Sequence, residues 1–273
     1  MSIDSQLRVM TLGGPGTFAS QAAQRLGERR AEFGAVSYAP TMEDVWSALV
    51  AGRADVVVLT AETDQSGFNP IHGRVAAPGA QVYVVAEAAV PYACALLARP
   101  GTRLQDIRRV LGHGSIRQCQ RFLAEHLPTA EVVTHGQNSM AAAREVAAGD
   151  GTLAVVGTRI TAELNGLEIL ATNVDEGSLG NWWALALAPC YSDTPDRLIV
   201  AARCTGDGQL GDLIGGLTGR GWRLRTVYSQ PSGQALFEHD YVLALTGGGD
   251  RGAVERVLAG YPTARLAGAF RVD

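Results

Sequence analysis

Three times along this chain a short apolar run ends in a polar, glycine-containing turn that opens directly into a helical pattern. A strand, a glycine turn and a helix in that order open a parallel α/β unit, so the repeat narrows the fold more than composition does. The first unit is Leu7–Leu12, the turn Gly13-Gly14-Pro15-Gly16-Thr17 and an alanine-rich helix over Phe18–Leu26. In the second, Val110–Gly112 leads through His113, set between two glycines, into a helix over Ser115–His126 with Ser115 as N-cap. The third joins Val132–Val133 to a helix over Ser139–Ala148, capped by Asn138 or Ser139.

The segments between them agree. Met42, Val45, Trp46 and Leu49 share one helical face, so Thr41–Val50 reads as an amphipathic helix. Val56–Leu59 is a continuous apolar run of the kind found in buried parallel strands, and Leu153–Val156 echoes it. Gln81–Val85 and Tyr92–Ala98 read as longer strands crossing between lobes, and Leu104–Arg109 as a short helix. Two α/β lobes with a cleft between them follow, a common setting for a small-molecule site. Beyond Pro189 the turn-rich Tyr191-Ser-Asp-Thr-Pro-Asp reads as a linker. After it come strand Arg197–Arg203, helix Leu210–Gly219, strands Trp222–Ser229 and Phe237–Thr246, helix Arg251–Gly260 and strand Ala264–Phe270, a ferredoxin-like β-α-β-β-α-β order. The expected domains are a two-lobed region over residues 7–190 (lobe one about 7–80 and 165–190, lobe two about 81–164) and a C-terminal unit over 196–273.

Composition excludes several classes. A formal charge of −4 leaves no basic footprint for nucleic acid, and no run of like charge forms a tail or a membrane patch. Cys94, Cys119, Cys190 and Cys204 are scattered without metal-ligand spacing, so each reads as a small hydrophobe and no metal is expected. The N-terminus lacks the apolar core of a signal peptide, and the most apolar stretch, Val82–Ala98, is broken by Glu87 and Pro91. The expectation is a cytoplasmic protein that neither spans a membrane nor binds nucleic acid.

The candidate chemistry lies at the strand-to-helix turns. Unpaired amides at a helix N-terminus suit a carboxylate or phosphate, which marks Gly14, Gly16 and Thr17. Thr60 ends a strand, and Glu62, Thr63 and Asp64 follow in the loop, at the strand end where open α/β sheets place ligands. His113 is placed to reach a cleft, whereas His126 and His135 read as solvated. Residues 177–189, GSLGNWWALALAP, hold two of the four tryptophans side by side. Neighbours on a strand face opposite ways, so at most one of them meets a ligand.

Taken together, these segments resemble the prephenate dehydratase family, a two-lobed, periplasmic-binding-protein-like catalytic region followed by an ACT regulatory domain. TLGGPGTFASQAA resembles its G-P-x-G-T-[FY]-S opening, and ADVVVLTAETDQSG its loop around Glu62 and Gly67. GHGSIRQCQRFL keeps His113, Gln118 and Cys119 of a third motif, and NSMAAAREVA keeps Ser139 of a fourth. The family's N-x-T-R-F signature departs furthest: Asn181 is present, but Trp183 stands for the threonine and Ala184 for the arginine. The resemblance implies prephenate as the small anionic substrate, no cofactor and a homodimer or homotetramer. It places Gly14, Gly16, Thr17, Thr60, Thr63, Ser115, Ser139 and Asn181 around the substrate, with His113, Glu62 and Trp183 as catalytic residues.

An indole cannot replace a proton-donating hydroxyl, and alanine offers neither charge nor hydrogen bond. The expectation that follows is a carbon–carbon lyase, a non-aromatising prephenate decarboxylase of specialised or antibiotic metabolism that keeps the ring hydroxyl. The alternative is a dehydratase, a hydro-lyase, in which Thr60, Thr63 or Ser178 supplies the missing donor. A second alternative is an inactive ligand-sensing homologue. In the ACT-like unit the effector motifs are reduced to Gln209 and Leu210 in one turn and Ser229 and Gln230 in one strand, so phenylalanine feedback is not expected and dimerisation is.

Overall fold

The computed structural model describes residues 6–206 and 208–272. Asp207 and Asp273, inside the expected C-terminal unit, and residues 1–5 of the N-terminal stretch lie outside the described residues. In chain order the first elements are β1 (Leu7–Leu12), α1 (Phe18–Arg29), β2 (Phe33–Ala39), α2 (Met42–Val50), β3 (Val56–Thr63), β4 (Gly67–Phe68) and α3 (Ile71–Ala76). Next come β5 (Tyr83–Pro91), β6 (Ala95–Ala98), β7 (Arg109–Gly112), α4 (Gln120–His126), β8 (Glu131–Thr134), α5 (Ser139–Ala148), β9 (Leu153–Gly157) and α6 (Arg159–Asn165). The remainder is β10 (Glu168–Thr172), β11 (Leu179–Ala186), β12 (Arg197–Cys204), α7 (Gln209–Thr218), β13 (Trp222–Pro231), β14 (His239–Gly247), α8 (Arg251–Leu258) and β15 (Ala264–Phe270).

The chain forms two compact units that do not follow sequence order: residues 1–67 with 89–182, and 68–88 with 183–273. In the first unit β1 pairs in parallel with both β2 and β3 (Val9 opposite Val36 and Val56), the heart of a sheet ordered β2-β1-β3-β11-β5. The second lobe is built on a sheet ordered β10-β6-β9-β7-β8. Its β7 runs parallel to β8 and β9, while β6 is antiparallel to β9 and β10. Ala142, Ala143 and Val146 of α5 are fully buried against Leu97, Leu111 and Val155 of this sheet. Small side chains on that helix face let its axis approach the strands closely, which accounts for the alanine-rich sequence.

The second unit carries an antiparallel sheet ordered β13-β14-β12-β15, with α7 and α8 on one face, the ferredoxin-like arrangement of an ACT-type domain. Leu198, Val200 and Ala202 alternate along β12 into a core with Leu213, Leu217, Trp222, Leu245 and Val254. Glu87, the charge that interrupts the apolar run of β5, is buried in this unit. Its Oε1 accepts hydrogen bonds from Arg197 Nε at 2.8 Å and Arg225 Nη1 at 2.7 Å. A buried carboxylate held by two guanidiniums replaces the hydration it has lost.

Several sequence expectations change in detail. Leu104–Arg109 forms only a 3-10 turn over Leu104–Asp106. Ser115–His126 is not one helix but a 3-10 segment, Gly114–Cys119, followed by α4, so Ser115 caps nothing. The strand expected over Tyr92–Ala98 begins at Ala95, because the Tyr92 amide turns aside to the Ser178 carbonyl at 2.8 Å. The strand expected from Phe237 begins at His239, since Phe237 sits in the hairpin turn at φ +67°. Among the described residues no helix is long and apolar enough to cross a membrane.

The triad at Glu87 yields a stability test. Glu87→Leu leaves two guanidiniums without their shared acceptor. Both arginines keep partial access to water, which moderates the penalty. A loss of about 2 kcal/mol is expected in urea-denaturation midpoints at neutral pH.

Candidate active site

The glycine turn of the first lobe is shaped by its backbone. Gly13 and Gly16 take φ of +92° and +82°, which L side chains rarely adopt. The Gly13 amide bonds the Ala39 carbonyl at 2.8 Å. Thr17 caps α1: its hydroxyl oxygen accepts from the Ser20 amide at 3.1 Å and its proton goes to the Gly14 carbonyl at 2.9 Å. A Cβ on Gly16 would come within 2.8 Å of Ile160 Cβ at the start of α6, and the Gly16 carbonyl accepts from Thr158 Oγ1 at 2.7 Å. On the facing lobe, Asn138 caps α5 by accepting from the Ala141 amide at 3.0 Å, and its Nδ2 donates to the Pro40 carbonyl at 3.0 Å. A Cβ on Gly14 would come within 3.3 Å of Met140 Cγ, so the N-termini of α1 and α5 meet.

Where they meet is a solvent-open pocket with about 440 Å³ of empty volume, lined wholly by residues of the first unit. Its polar wall carries Thr17, Thr60, His113, Ser115, Asn138 and Ser139. Its apolar wall carries Phe18, Tyr92 and Trp182, with ring centroids of Tyr92 4.5 Å from Phe18 and 5.7 Å from Trp182. Burial, and then the positive fields of His135 and Arg117, hold the His113 pKa below the ordinary imidazole value. His113 is therefore neutral near pH 7, able to donate one hydrogen bond and accept another. Burial likewise drives the Tyr92 phenol up, so it stays protonated.

Of the residues expected around the substrate, Thr17, Thr60, His113, Ser115 and Ser139 line this pocket. Gly14, Gly16, Glu62, Thr63, Asn181 and Trp183 are not among its lining residues. Thr63 belongs instead to a polar network: its hydroxyl lies 2.6 Å from that of Ser66, and Gln118 Nε2 reaches the two at 3.4 and 3.3 Å. Ser178 donates to Asp64 and lies 3.2 Å from Gln118 Oε1, while the Leu179 amide donates to Asp64 Oδ2 at 2.9 Å. Of the three hydroxyls considered as replacement donors, Thr60 alone lines the pocket. Its side chain makes no hydrogen bond among the described residues.

Trp182 and Trp183 face opposite ways on β11, and the boundary between the two compact units falls between them. Trp182 lines the pocket. Trp183, the tryptophan expected at the substrate, instead packs against His72 with ring centroids 4.4 Å apart, and His72 in turn meets Phe68 and Tyr228. The signal that separates the two indoles is Gly180. A Cβ there would come within 2.6 Å of Trp182 Cη2 and 2.9 Å of Tyr92 Cε2, so a glycine two residues earlier opens room on that face. Tyr92 carries no sequence motif, and spacing gives no sign of its place in the wall.

In the ACT-type domain, Gln209 closes its own loop by accepting from the Thr205 amide at 2.9 Å, and Leu210 packs on the domain core. Ser229 is exposed on β13, and Gln230 accepts from the Tyr228 hydroxyl at 2.9 Å. Among the described residues no group of three or more His, Cys, Asp or Glu side chains is arranged to hold a metal.

A two-lobed α/β region with a pocket at converging helix N-termini, joined to an ACT-type domain, is the architecture seen in solved prephenate dehydratases. The enzyme from Arthrobacter aurescens, solved with L-Phe, superposes with a TM-score of 0.80 at 24% identity over 97% of this chain and 90% of that one. The Staphylococcus aureus enzyme gives 0.71 at 14% identity, over 97% of this chain and 100% of that one. In sequence, residues 9–181 match the family model described as prephenate dehydratase. The Amycolatopsis methanolica prephenate dehydratase is 30% identical over 88% of this chain and 79% of its own length. The chain belongs to the prephenate dehydratase family.

These findings correct the expectation of a non-aromatising decarboxylase, and with it that of a carbon–carbon lyase. The family match and the Amycolatopsis methanolica relative are prephenate dehydratases, and Trp183, on which the expectation turned, is not on the pocket wall.

His72 gives a pH test of the packing around Trp183. Its Nδ1 meets the Asn69 carbonyl at 3.2 Å, and its Nε2 is buried without a partner among the described residues. Burial lowers its pKa from 6.5 to about 4. Between those values the unfolded chain binds the proton and the folded chain does not, so stability is full above pH 6.5 and falls toward pH 4. His72→Phe should remove up to roughly 3 kcal/mol of that fall, read from denaturation curves at pH 7.5 and 4.5.

Proposed function

We propose that this chain catalyses prephenate dehydration, converting prephenate and one proton to phenylpyruvate, water and carbon dioxide. The ring carboxylate leaves as CO2, its carbon–carbon electron pair enters the ring, and the opposite carbon–oxygen bond breaks with its pair on oxygen. That oxygen takes up the proton, and the ring becomes aromatic. The reaction needs a hydrogen-bond donor at the departing hydroxyl, amides for carboxylate oxygens and an apolar surface against the ring.

The observation that carries the reading is the Thr60 hydroxyl, unengaged and in the same pocket as the Trp182 indole. Thr60 acts as the donor to the leaving hydroxyl, the role for which β11 has no threonine at position 183. The N-termini of α1 and α5 offer amides and favourable dipole ends to the 2-oxo-acid carboxylate, which keeps its charge. Phe18, Tyr92 and Trp182 take the ring and desolvate the carboxylate that leaves, favouring neutral CO2. Neutral His113 orients the substrate without trapping the leaving carboxylate as an ion pair.

The test is direct. Incubation with prephenate should give phenylpyruvate at an enzymatic rate, and a product that retains the ring hydroxyl overturns the proposal. Thr60→Val keeps the shape and removes the hydroxyl, so kcat should fall by about 10²–10⁴-fold with little change in KM. Full activity in that variant would remove Thr60 from the mechanism.

A further inference from the structure

Ala184 occupies the position where the family motif carries an arginine, and it is fully buried. A dianionic substrate still gains from a cation, and all 23 basic residues of this chain are arginines. Arg117 has the placement for that role. It belongs to the 3-10 segment Gly114–Cys119, in which residues three apart are eclipsed. Gly114 lines the pocket, and Arg117 stands one turn further along the segment, next to the pocket wall in sequence but not itself among the lining residues. Its side chain is exposed and makes no hydrogen bond or ion pair among the described residues, whereas the nearby Arg121 pairs with Glu176 at 3.9 Å. Its charge acts on two wall residues, helping to lower the His113 pKa and opposing the rise at Tyr92.

We propose that Arg117 is the carboxylate-binding residue of this pocket, and that it holds the 2-oxo-acid carboxylate, the one that survives the reaction. The inference rests on the reading of the pocket as a prephenate site. The choice between the two carboxylates follows from their fates. A carboxylate that becomes CO2 loses its charge on the way to the transition state, so a guanidinium clamped on it would stabilise the ground state more and slow the reaction. The 2-oxo-acid carboxylate keeps its charge throughout. A bidentate arginine can hold it at the solvent side without raising the barrier, while the ring and the departing carboxylate lie against the aromatic wall.

Binding and turnover read different parts of this proposal. Isothermal titration calorimetry with phenylpyruvate, which retains only the surviving carboxylate, is compared for wild type, Arg117→Gln, Arg117→Lys and Arg121→Gln, alongside prephenate kinetics. Arg117→Gln should weaken phenylpyruvate binding and raise KM for prephenate about 10- to 100-fold, with kcat changed less than about threefold. Arg117→Lys should fall between, and Arg121→Gln should match wild type. Unchanged phenylpyruvate affinity and KM in Arg117→Gln, or an equal loss in Arg121→Gln, overturns the proposal. If wild type binds phenylpyruvate through Arg117 but does not convert prephenate, the dehydratase reading falls and the assignment of Arg117 stands. Conversion that is indifferent to Arg117 has the reverse meaning, and a wild-type chain that neither binds nor converts overturns both.

Discussion

Two side chains of the second lobe hold backbone carbonyls of the first, and the pocket depends on them. Thr158 reaches the Gly16 carbonyl and Asn138 reaches that of Pro40, both from buried positions. Each bond is worth only about 1 kcal/mol net, but leaving such a buried group unpaired costs more than the bond gains, so the lobes have one preferred register. Asn138 serves two purposes, because the same side chain caps α5. The orientation of that helix N-terminus is thereby tied to the joint between the lobes. Gly16 completes the arrangement: any side chain there would meet Ile160. The turn that reads in sequence as an anion cradle is first a joint between the lobes: its Gly13 and Thr17 amides bond the Ala39 and Gly14 carbonyls, and Gly14 and Gly16 lie off the pocket wall.

The phase of β11 then decides what the pocket wall contains. With Gly180 making room and Trp182 pointing inward, Trp183 is committed to the opposite face and to His72. The wall receives an indole from β11 and a hydroxyl from β3. Side chains expected from one strand come from two, which is possible because β3 and β11 are neighbours in one sheet and Thr60 and Trp182 both line the pocket.

Much of the fold was legible because the strands here are buried on both faces. Val56–Leu59 and Leu153–Val156 announce themselves as apolar runs, and the helix face of Met42, Val45 and Leu49 repeats at the expected spacing. Phe33–Ala39 was not legible: its small and polar residues alternate weakly, and it forms a strand through pairing with β1. Six residues of α3 and seven of α6 are too few for a helical period to show. The break at Cys119 was hidden for another reason. Gln118 is drawn into hydrogen bonds with Thr63, Ser66 and Ser178, which lie far away in sequence. Site residues on glycine turns were found by their local chemistry, whereas Tyr92 and Trp182 depend on a strand's phase and end, which only the folded sheet sets.

The absence of threonine and arginine from β11 does not by itself change the reaction. An elimination that ends in an aromatic ring has its largest driving force in the substrate. The protein must supply a proton donor at one end, low polarity at the other and a fixed orientation between them. None of these requires a particular strand. Thr60 presents a hydroxyl from β3, two helix N-termini present amides, and the aromatic wall supplies low polarity. An arginine buried at position 184 would have to displace part of the packing around a residue that is now wholly enclosed. A cation on the 3-10 segment avoids that cost because it stays hydrated until an anion arrives. The wall beside the departing carboxylate is then free of fixed positive charge, the condition under which loss of neutral CO2 is easiest.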